Sequence, residues 1–206
     1  MDQLKNQISV NNSLILASSS PRRKYLLEQA GIAFMVAPAD IKEEKKNNEP
    51  PQDYVRRLSC EKAGFIARQH PDAWVLGADT VVVMGHQLLE KPASVQAAVD
   101  MLTALSGNTH TVYTGYTLCC RNKNRTITGS AATDVTFKPL TKEEIKWYVS
   151  TKEPFGKAGA YAIQGLGTFI VKRINGSYTN VVGLPVCEVI ETLIQENIIN
   201  IREKFK

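Results

Sequence analysis

Cysteine and histidine are scarce in this sequence of 206 residues, which contains four cysteines and three histidines. None of the cysteines forms a Cys-x-x-Cys pair, and the neighbours Cys119 and Cys120 would point to opposite faces of a strand. This spacing predicts reduced, structural thiols and argues against a zinc site or a Cys–His nucleophile pair.

Long apolar runs are absent too, since no segment approaches the roughly 20 apolar residues of a membrane-spanning helix. Residues 1–13 are polar and lack the apolar core of a secretory signal peptide. We therefore predict a cytoplasmic protein without a membrane partner. Residues 1–12 are predicted to be a polar extension, and residues 13–206 a single domain, long enough to bury a substantial core.

The sequence also has no blocks of basic residues interleaved with aromatic residues, although its formal net charge is +5. A mildly basic balance has two interpretations: a nucleic-acid surface, or a small anionic substrate held by a few cations. Without such blocks the second interpretation is favoured, and no nucleic-acid partner is predicted.

Neither a GxxxxGK[ST] phosphate loop nor a GxGxxG motif after a strand is present, which argues against Walker-type ATPases and Rossmann dehydrogenases. Glycines do crowd one short segment around Gln164, at Gly156, Gly159, Gly165 and Gly167. Close glycine spacing indicates that the backbone passes near a ligand or bends sharply there.

Hydrophobic periodicity and turn residues predict a mixed α/β fold, with an antiparallel part where strands follow one another directly. The predicted helices cover residues 21–30, 51–69, 95–106, 141–150 and 185–196. The predicted strands cover residues 14–17, 74–84, 87–89, 110–120, 126–130 and 131–137, with a strand-rich stretch at 160–174 and, after an Asn175-Gly176 turn, 177–182. Residues 42–51 are predicted to be an exposed loop.

Residues Ser18 to Arg23 place a serine-rich turn between a predicted strand and a predicted helix. Free backbone N–H groups and the positive helix pole meet there and favour an anion. Arg22 and Arg23 occupy the first turn, where acidic residues are usual, and guanidinium groups bind phosphate well. The alternative is a plain N-cap at Ser20 with solvated arginines.

Two charged residues interrupt apolar patterns. Lys62 lies at the centre of the apolar stripe of helix 51–69, so it must snorkel to solvent, pair with an acid or face a polar cavity. Asp79 interrupts the apolar strand 74–84, which indicates a metal-holding or catalytic acid, unless it lies at a turn or sheet edge. Glu43, Lys91 and Lys157 are individually no more than solvated charges.

The order of several short motifs resembles that of Maf proteins, over roughly residues 13–196. The Ser-Pro-Arg-Arg and Gly-Ala-Asp-Thr blocks together are highly specific. The matching segments are 16–23, Glu61-Lys62-Ala63, 77–82, Glu90-Lys91-Pro92, Leu105-Ser106-Gly107, His110, Thr114-Gly115 and 157–165. The resemblance implies a two-lobed fold with a central cleft, in which helices flank a mixed sheet, as in inosine-triphosphate pyrophosphatases.

The resemblance also implies a nucleoside triphosphate pyrophosphatase with Mg²⁺ or Mn²⁺ as cofactor, and homodimers are frequent in the family. The segment 157–165 is similar to the branch that acts on dTTP and UTP, whereas the 7-methyl-GTP branch has glutamate in place of Gln164. One departure is Lys42, where relatives commonly have an acid, although Glu43 keeps the adjacent acidic position. The alternative function is a non-enzymatic, nucleotide-binding regulator of cell division, because Maf proteins are also associated with inhibition of septum formation.

The resemblance and the residue chemistry together give expected roles. Asp79 would accept a proton from the attacking water or hold the metal, with Glu43 as the second metal-holding acid. Specificity would depend on Arg22, Thr80 and Gln164, whose amide suits the O4 and N3–H edge of thymine or uracil. The expected phosphate-binding residues are Ser18, Ser20, Arg22, Arg23, Lys62, Lys91 and Lys157.

Overall fold

The computed structural model describes residues 8–10 and 12–201. Most of the predicted polar extension at residues 1–12 lies outside the described residues, and the proposed boundary at residue 13 stays a prediction. The chain forms two compact units. Unit 1 contains residues 1–79, 115–130 and 183–206, and unit 2 contains residues 80–114 and 131–182.

Helices and strands alternate along most of the chain. The α-helices are α1 (Pro21–Gln29), α2 (Pro51–Gln69), α3 (Val95–Leu105), α4 (Lys142–Ser150), α5 (Tyr178–Val182) and α6 (Val186–Gln195). The strands are β1 (Ile8–Val10), β2 (Leu14–Leu16), β3 (Met35–Val36), β4 (Trp74–Met84), β5 (Gln87–Leu89), β6 (Thr109–Cys120), β7 (Arg125–Phe137), β8 (Val171–Asn175) and β9 (Ile199–Ile201). Two 3-10 helices lie at Ala158–Ala160 and Gly165–Phe169.

Seven strands form one mixed sheet in the order β3-β2-β4-β6-β7-β8, with β5 paired to β4. Strand β2 pairs in parallel with β3 and β4, whereas β5 pairs antiparallel with β4 and β8 pairs antiparallel with β7. Strands β1 and β9 form a separate antiparallel pair. The predicted mixed α/β class with an antiparallel part is therefore confirmed, while the two-lobed arrangement with a central cleft stays a prediction.

In unit 1, helix α2 lies unusually close to the sheet because two strand glycines leave room for its backbone. A Cβ atom at Gly77 would stand 2.2 Å from the backbone oxygen of Ser59, and one at Gly115 would stand 2.3 Å from that of Val55. Apolar side chains of α2, β2 and β4 pack together around Ala63, which is fully buried. This packing positions the face of α2 that carries Lys62 against strand β4.

Unit 2 has its own apolar core, in which α3 and α4 pack with β-strand residues around the fully buried Leu102, Val135 and Tyr148. The 3-10 helix Ala158–Ala160 contacts α3. In the described part of the chain, no helix is both long and apolar enough to cross a membrane.

The structure differs from the prediction in three regions, the first of them only in the break between two strands. The strands at 126–130 and 131–137 are one continuous strand, β7. The stretch 160–174 contains a 3-10 helix and only one strand, β8, because Gly165 has a φ of +69°, outside the range of strand backbone. Residues 178–182 are helical rather than extended, since Ser177 caps that turn by accepting the N–H of Asn180 at 3.3 Å.

Candidate functional site

The serine-rich turn before α1 is an N-cap and also a binding site for one of its own arginines. The Ser20 hydroxyl accepts the Arg23 N–H at 3.4 Å, as predicted for an N-cap. The Ser18 hydroxyl accepts the Ser20 N–H at 3.2 Å and Nη1 of Arg23 at 3.0 Å. Nε of Arg23 donates to the carbonyl oxygen of Gly183 at 2.8 Å. Arg23 is half-buried, and these hydrogen bonds hold its guanidinium in place. The alternative interpretation, in which the arginines are solvated, is therefore wrong for Arg23.

Arg22 precedes Arg23 on the first turn of α1 and is also half-buried. Burial lowers the pKa of the Arg23 guanidinium and Arg22 lowers it further, whereas Asp79 and Glu43 raise it. The electrostatic coupling among these residues indicates that the α1 turn and the two acids belong to one site in unit 1.

Lys62 joins those two acids. Its side chain is 9% exposed, and Nζ lies 2.6 Å from Oδ1 of Asp79 and 2.6 Å from Oε1 of Glu43. The two carboxylate oxygens therefore lie within twice that distance of each other. Among the three interpretations of Lys62, snorkelling is wrong and pairing with an acid is confirmed.

Asp79 lies inside β4 and is buried, so the turn interpretation is wrong. On one side of β4 the pairing with β2 ends at Leu76 and the pairing with β5 begins at Val82, so Asp79 lies between these two neighbours. Burial raises the pKa of its carboxyl, while the charges of Lys62 and Arg23 and the hydrogen bond from Lys62 lower it. A carboxyl group whose pKa is raised by burial, in contact with the Lys62 ammonium, is suited to take up a proton during a reaction.

The other expected site residues lie in unit 2. Thr80 Oγ1 and Thr114 Oγ1 are 2.9 Å apart, and Thr114 donates to the carbonyl oxygen of Asn180 at 3.2 Å. Lys91 is exposed, whereas Lys157 is half-buried and donates through Nζ to a backbone oxygen.

Gln164 is half-buried and directly precedes the 3-10 helix Gly165–Phe169, to which its side chain makes no capping hydrogen bond. The two lysine turns in front of it are linked, because the Gly159 N–H donates to the carbonyl oxygen of Glu90 at 3.2 Å. Unit 2 thus brings together the segments that carry Lys91, Lys157 and Gln164.

A family model described as Maf-like protein matches residues 13–196. This chain belongs to the Maf family. A protein named dTTP/UTP pyrophosphatase from Syntrophus aciditrophicus (strain SB) is 51% identical over 184 residues, which cover 89% of this chain and 90% of that protein. Another of the same name, from Myxococcus xanthus (strain DK1622), is 49% identical over 180 residues, which cover 87% and 90%.

Among solved structures, a HAM1 protein from Coxiella burnetii aligns with this Maf chain at a TM-score of 0.48 and 14% identity. The alignment covers 90% of this chain and 99% of that one, but the likeness is too weak to bear on fold or function.

The acids of this Maf protein fit a divalent metal only in part. Within the described residues, no group of three His, Cys, Asp or Glu side chains could hold a metal ion. Mg²⁺, however, is commonly held by one or two carboxylates together with substrate phosphates. Glu43 and Asp79 supply two carboxylates that meet at one ammonium group, so the donor set fits a hard cation that takes its remaining oxygens from substrate.

Arg57, which no sequence motif marks, anchors the loop carrying Glu43. Its guanidinium donates to both carboxylate oxygens of Glu49, at 2.6 and 2.7 Å, to the backbone oxygen of Glu44 at 2.8 Å and to Glu61 at 3.0 Å. This pairing lowers the pKa of Glu49 to about 2. The only sequence signal was the i,i+4 spacing of Arg57 and Glu61, which is common on helix surfaces.

Proposed function

We propose that this protein hydrolyses dTTP and UTP to the nucleoside monophosphate and pyrophosphate. Membership of the Maf family supports the proposal, as do relatives named dTTP/UTP pyrophosphatase that align over most of their length with this chain. The non-enzymatic regulator of cell division is not favoured, because those relatives are named as enzymes and the chain retains the acids of the site.

The observation that carries the proposal is the contact of the buried Lys62 ammonium with Asp79 and Glu43. A site for triphosphate binding alone needs cations, and carboxylates beside a polyanion would weaken it, above all a buried one such as Asp79. Hydrolysis does need a group that can take a proton from water, and Asp79 is the buried acid available for that. Arg23, pinned by Ser18 and Gly183, adds a fixed positive charge where phosphate charge must be offset.

We further propose that Glu43 and Asp79 hold the Mg²⁺ or Mn²⁺ ion. When bound, the ion would neutralise phosphate charge and activate water. The residues of the chain would do the rest: Arg22, Arg23 and Lys62 bind and orient phosphate oxygens, and Asp79 accepts the proton. The backbone N–H groups of the turn containing Ser18 and Ser20 would bind phosphate oxygens without adding a mobile charged side chain.

In unit 2, we propose that Lys91 and Lys157 supply further positive charge to the phosphates. Gln164 would read the base, since its amide offers one donor and one acceptor to the O4 and N3–H edge of thymine or uracil. Thr80 and Arg22 would contribute to this specificity. A homodimer, a cytoplasmic location and the lack of a nucleic-acid partner stay predictions.

The test is a panel of ribo- and deoxyribonucleoside triphosphates with Mg²⁺ or Mn²⁺, with pyrophosphate release as the readout. We expect release from dTTP and UTP and a fall in kcat of about a hundredfold or more for Asp79→Asn. The control Asp100→Asn, in an exposed residue of α3, should keep wild-type turnover. Wild-type protein that releases no pyrophosphate from any triphosphate would refute the proposal, and normal turnover by Asp79→Asn would refute the role of that carboxylate.

A further inference from the structure

The segment that carries Gln164 is held by one carboxylate that no sequence motif marks. Oε1 of Glu153 accepts the Gly167 N–H at 2.9 Å, and Oε2 accepts the Leu166 N–H at 3.0 Å. The hydroxyl of Tyr148 donates to Oε1 of Glu153 at 2.9 Å. Both oxygens of this side chain are therefore committed to the turn directly after Gln164.

Tyr148 holds the other side of Gln164. Its hydroxyl oxygen accepts the N–H of Ala162 at 3.1 Å while its proton goes to Glu153. Tyr148 is fully buried in the core of unit 2, so the surrounding side chains fix the position of its hydroxyl group. The backbone is thus fixed two residues before and two to three residues after Gln164.

Two of the four crowded glycines, Gly165 and Gly167, lie against this same cluster, whereas Gly159 faces Val82. A Cβ atom at Gly165 would stand 2.6 Å from Oε2 of Glu153, and one at Gly167 would stand 2.6 Å from the hydroxyl of Tyr148. Gly165 therefore leaves room for a carboxylate, and Gly167 leaves room for the Tyr148 phenol and for the backbone oxygen of Ala162, which would stand 2.2 Å from its Cβ atom. Burial raises the pKa of Glu153, but the N–H groups of Leu166 and Gly167 and the Tyr148 hydroxyl bring it below the ordinary value.

We propose that Glu153, with Tyr148, is a positioning residue that fixes the base-reading amide of Gln164 and thereby sets selectivity among pyrimidine nucleotides. The proposal rests on the proposed function, in which Gln164 reads the base. An amide can present its donor and acceptor in either order by rotating, so it pairs with a thymine edge or a cytosine edge. The anchored main chain does not set that rotation, but it does set the distance and direction from which the amide approaches the base, and discrimination depends on that placement.

Glu153 also touches a second expected site residue, because its backbone oxygen accepts a hydrogen bond from Nζ of Lys157. A rotation of residue 153 would therefore disturb a phosphate-binding cation as well as the base reader. Substitutions that keep the backbone and change only the carboxylate separate the two effects. The side chain of Glu153 anchors the backbone next to Gln164, whereas its main-chain oxygen accepts the hydrogen bond from Lys157.

The experiment measures kcat/KM for dTTP and dCTP in the full-length Glu153→Gln and Tyr148→Phe variants. The glutamine has one acceptor oxygen for two backbone N–H groups, and the phenylalanine has none for Ala162. We expect the dTTP-to-dCTP ratio to fall by about fivefold or more in both variants, because a loosened polar contact discriminates poorly. Glu143→Gln and Tyr178→Phe, in two exposed residues of unit 2, are matched controls and should keep the wild-type ratio.

A merely structural role makes a different prediction. It lowers the thermal midpoint of Glu153→Gln and Tyr148→Phe and leaves the ratio unchanged, and that result would overturn the proposal. If Glu153→Gln does not fold, the ratio measured for Tyr148→Phe decides by itself. In a Gln164→Ala background, Glu153→Gln should cause no further change in the ratio, and an additive loss would also overturn the proposal.

The failure of this inference is distinguishable from the failure of the proposed function. Wild-type protein that releases pyrophosphate from dTTP, with a ratio that Gln164→Ala does not alter, would overturn the positioning role and leave the hydrolase intact. Wild-type protein without pyrophosphatase activity would remove the basis of both.

Discussion

Lys62 is a cation at a position where helical periodicity places an apolar side chain. It is tolerated there because its ammonium reaches Asp79 and Glu43, which offset the charge that the fold has removed from water. A buried ion pair of this kind adds little net stability, but removing one partner leaves the other charge uncompensated. The cluster is therefore better understood as a functional arrangement than as a stabilising one.

Lys62→Met tests this view by keeping the side-chain volume and removing the charge. We expect the unfolding free energy from urea denaturation to fall by about 3 kcal/mol, because Asp79 would be buried without its cation. Lys24→Met is the control, since Lys24 makes only an exposed pair with Glu28 at 3.7 Å, and it should leave stability unchanged. Equal effects of the two substitutions would contradict the coupling of Lys62 to the buried acid.

The site residues that could be predicted from the sequence are those that interrupt the local hydrophobic pattern. Lys62 interrupts an apolar stripe and Asp79 interrupts an apolar strand, so both stood out. Arg57 and Glu153 follow the ordinary pattern of surface charges, and only long-range folding brings Arg57 to Glu49 and Glu153 to Leu166. Composition and spacing carry no trace of such contacts, which is why the anchoring residues were missed.

At the scale of elements, long periodic segments were predicted well and short irregular ones were not. The helix predicted at 51–69 and the strand predicted at 74–84 have those bounds in the structure. The stretch 160–174, with its three glycines, is predicted to be strand-rich, and the structure differs there. Its backbone is set instead by positive φ at Gly165 and by the hydrogen bonds to Glu153 and Tyr148, which are tertiary contacts.

The loop at residues 42–50 is an element whose order depends on Arg57. Glu49→Gln should loosen it, because the neutral amide cannot replace two charge-assisted bonds to the guanidinium. We expect trypsin to cut after Lys42, Lys45 or Lys46 several times faster than in the wild type. Cleavage is followed by mass spectrometry of the fragments over time.

The matched control for that experiment is Glu28→Gln, which removes an exposed partner of Lys24 on α1 and should leave loop cleavage unchanged. Equal cleavage rates in Glu49→Gln and wild type would show that the loop is ordered by other contacts. Faster cleavage together with a lower kcat, at unchanged KM, would further link the Arg57 anchor to the position of Glu43.

For the whole molecule, the net charge of +5 is a poor guide to the partner, because two cations of the candidate site in unit 1 are withdrawn from the surface. Lys62 is buried, and Arg23 is half-buried with two donors committed to Ser18 and Gly183. Cations held in this way suit a small anion that enters a site, whereas a nucleic-acid backbone meets exposed basic side chains. The kind of anion that binds is therefore better inferred from where the cations lie in the fold than from the net charge.

The stability of the whole protein should depend on pH through His110, which is buried in unit 2. Its Nε2 lies 2.8 Å from the hydroxyl of Tyr161, and its Nδ1 is buried with no partner among the described residues. Burial lowers the pKa of His110 from 6.5 to about 4, against a smaller opposing effect of Asp134. The folded protein thus keeps this ring neutral at pH values where the unfolded chain protonates it.

The sign of the effect follows from proton uptake. Above pH 6.5 the contribution of neutral His110 to stability is fully present, and it is lost progressively as the pH falls from 6.5 to about 4. Within that window the unfolded chain binds up to one more proton, so the unfolding free energy should fall by up to about 1.4 kcal/mol per pH unit from this residue. Urea denaturation of wild type and His110→Gln from pH 7 to pH 4 measures the slope, and the variant should show the shallower one although it is less stable at pH 7. An unchanged slope in His110→Gln would mean that this ring takes up its proton without opposing the fold.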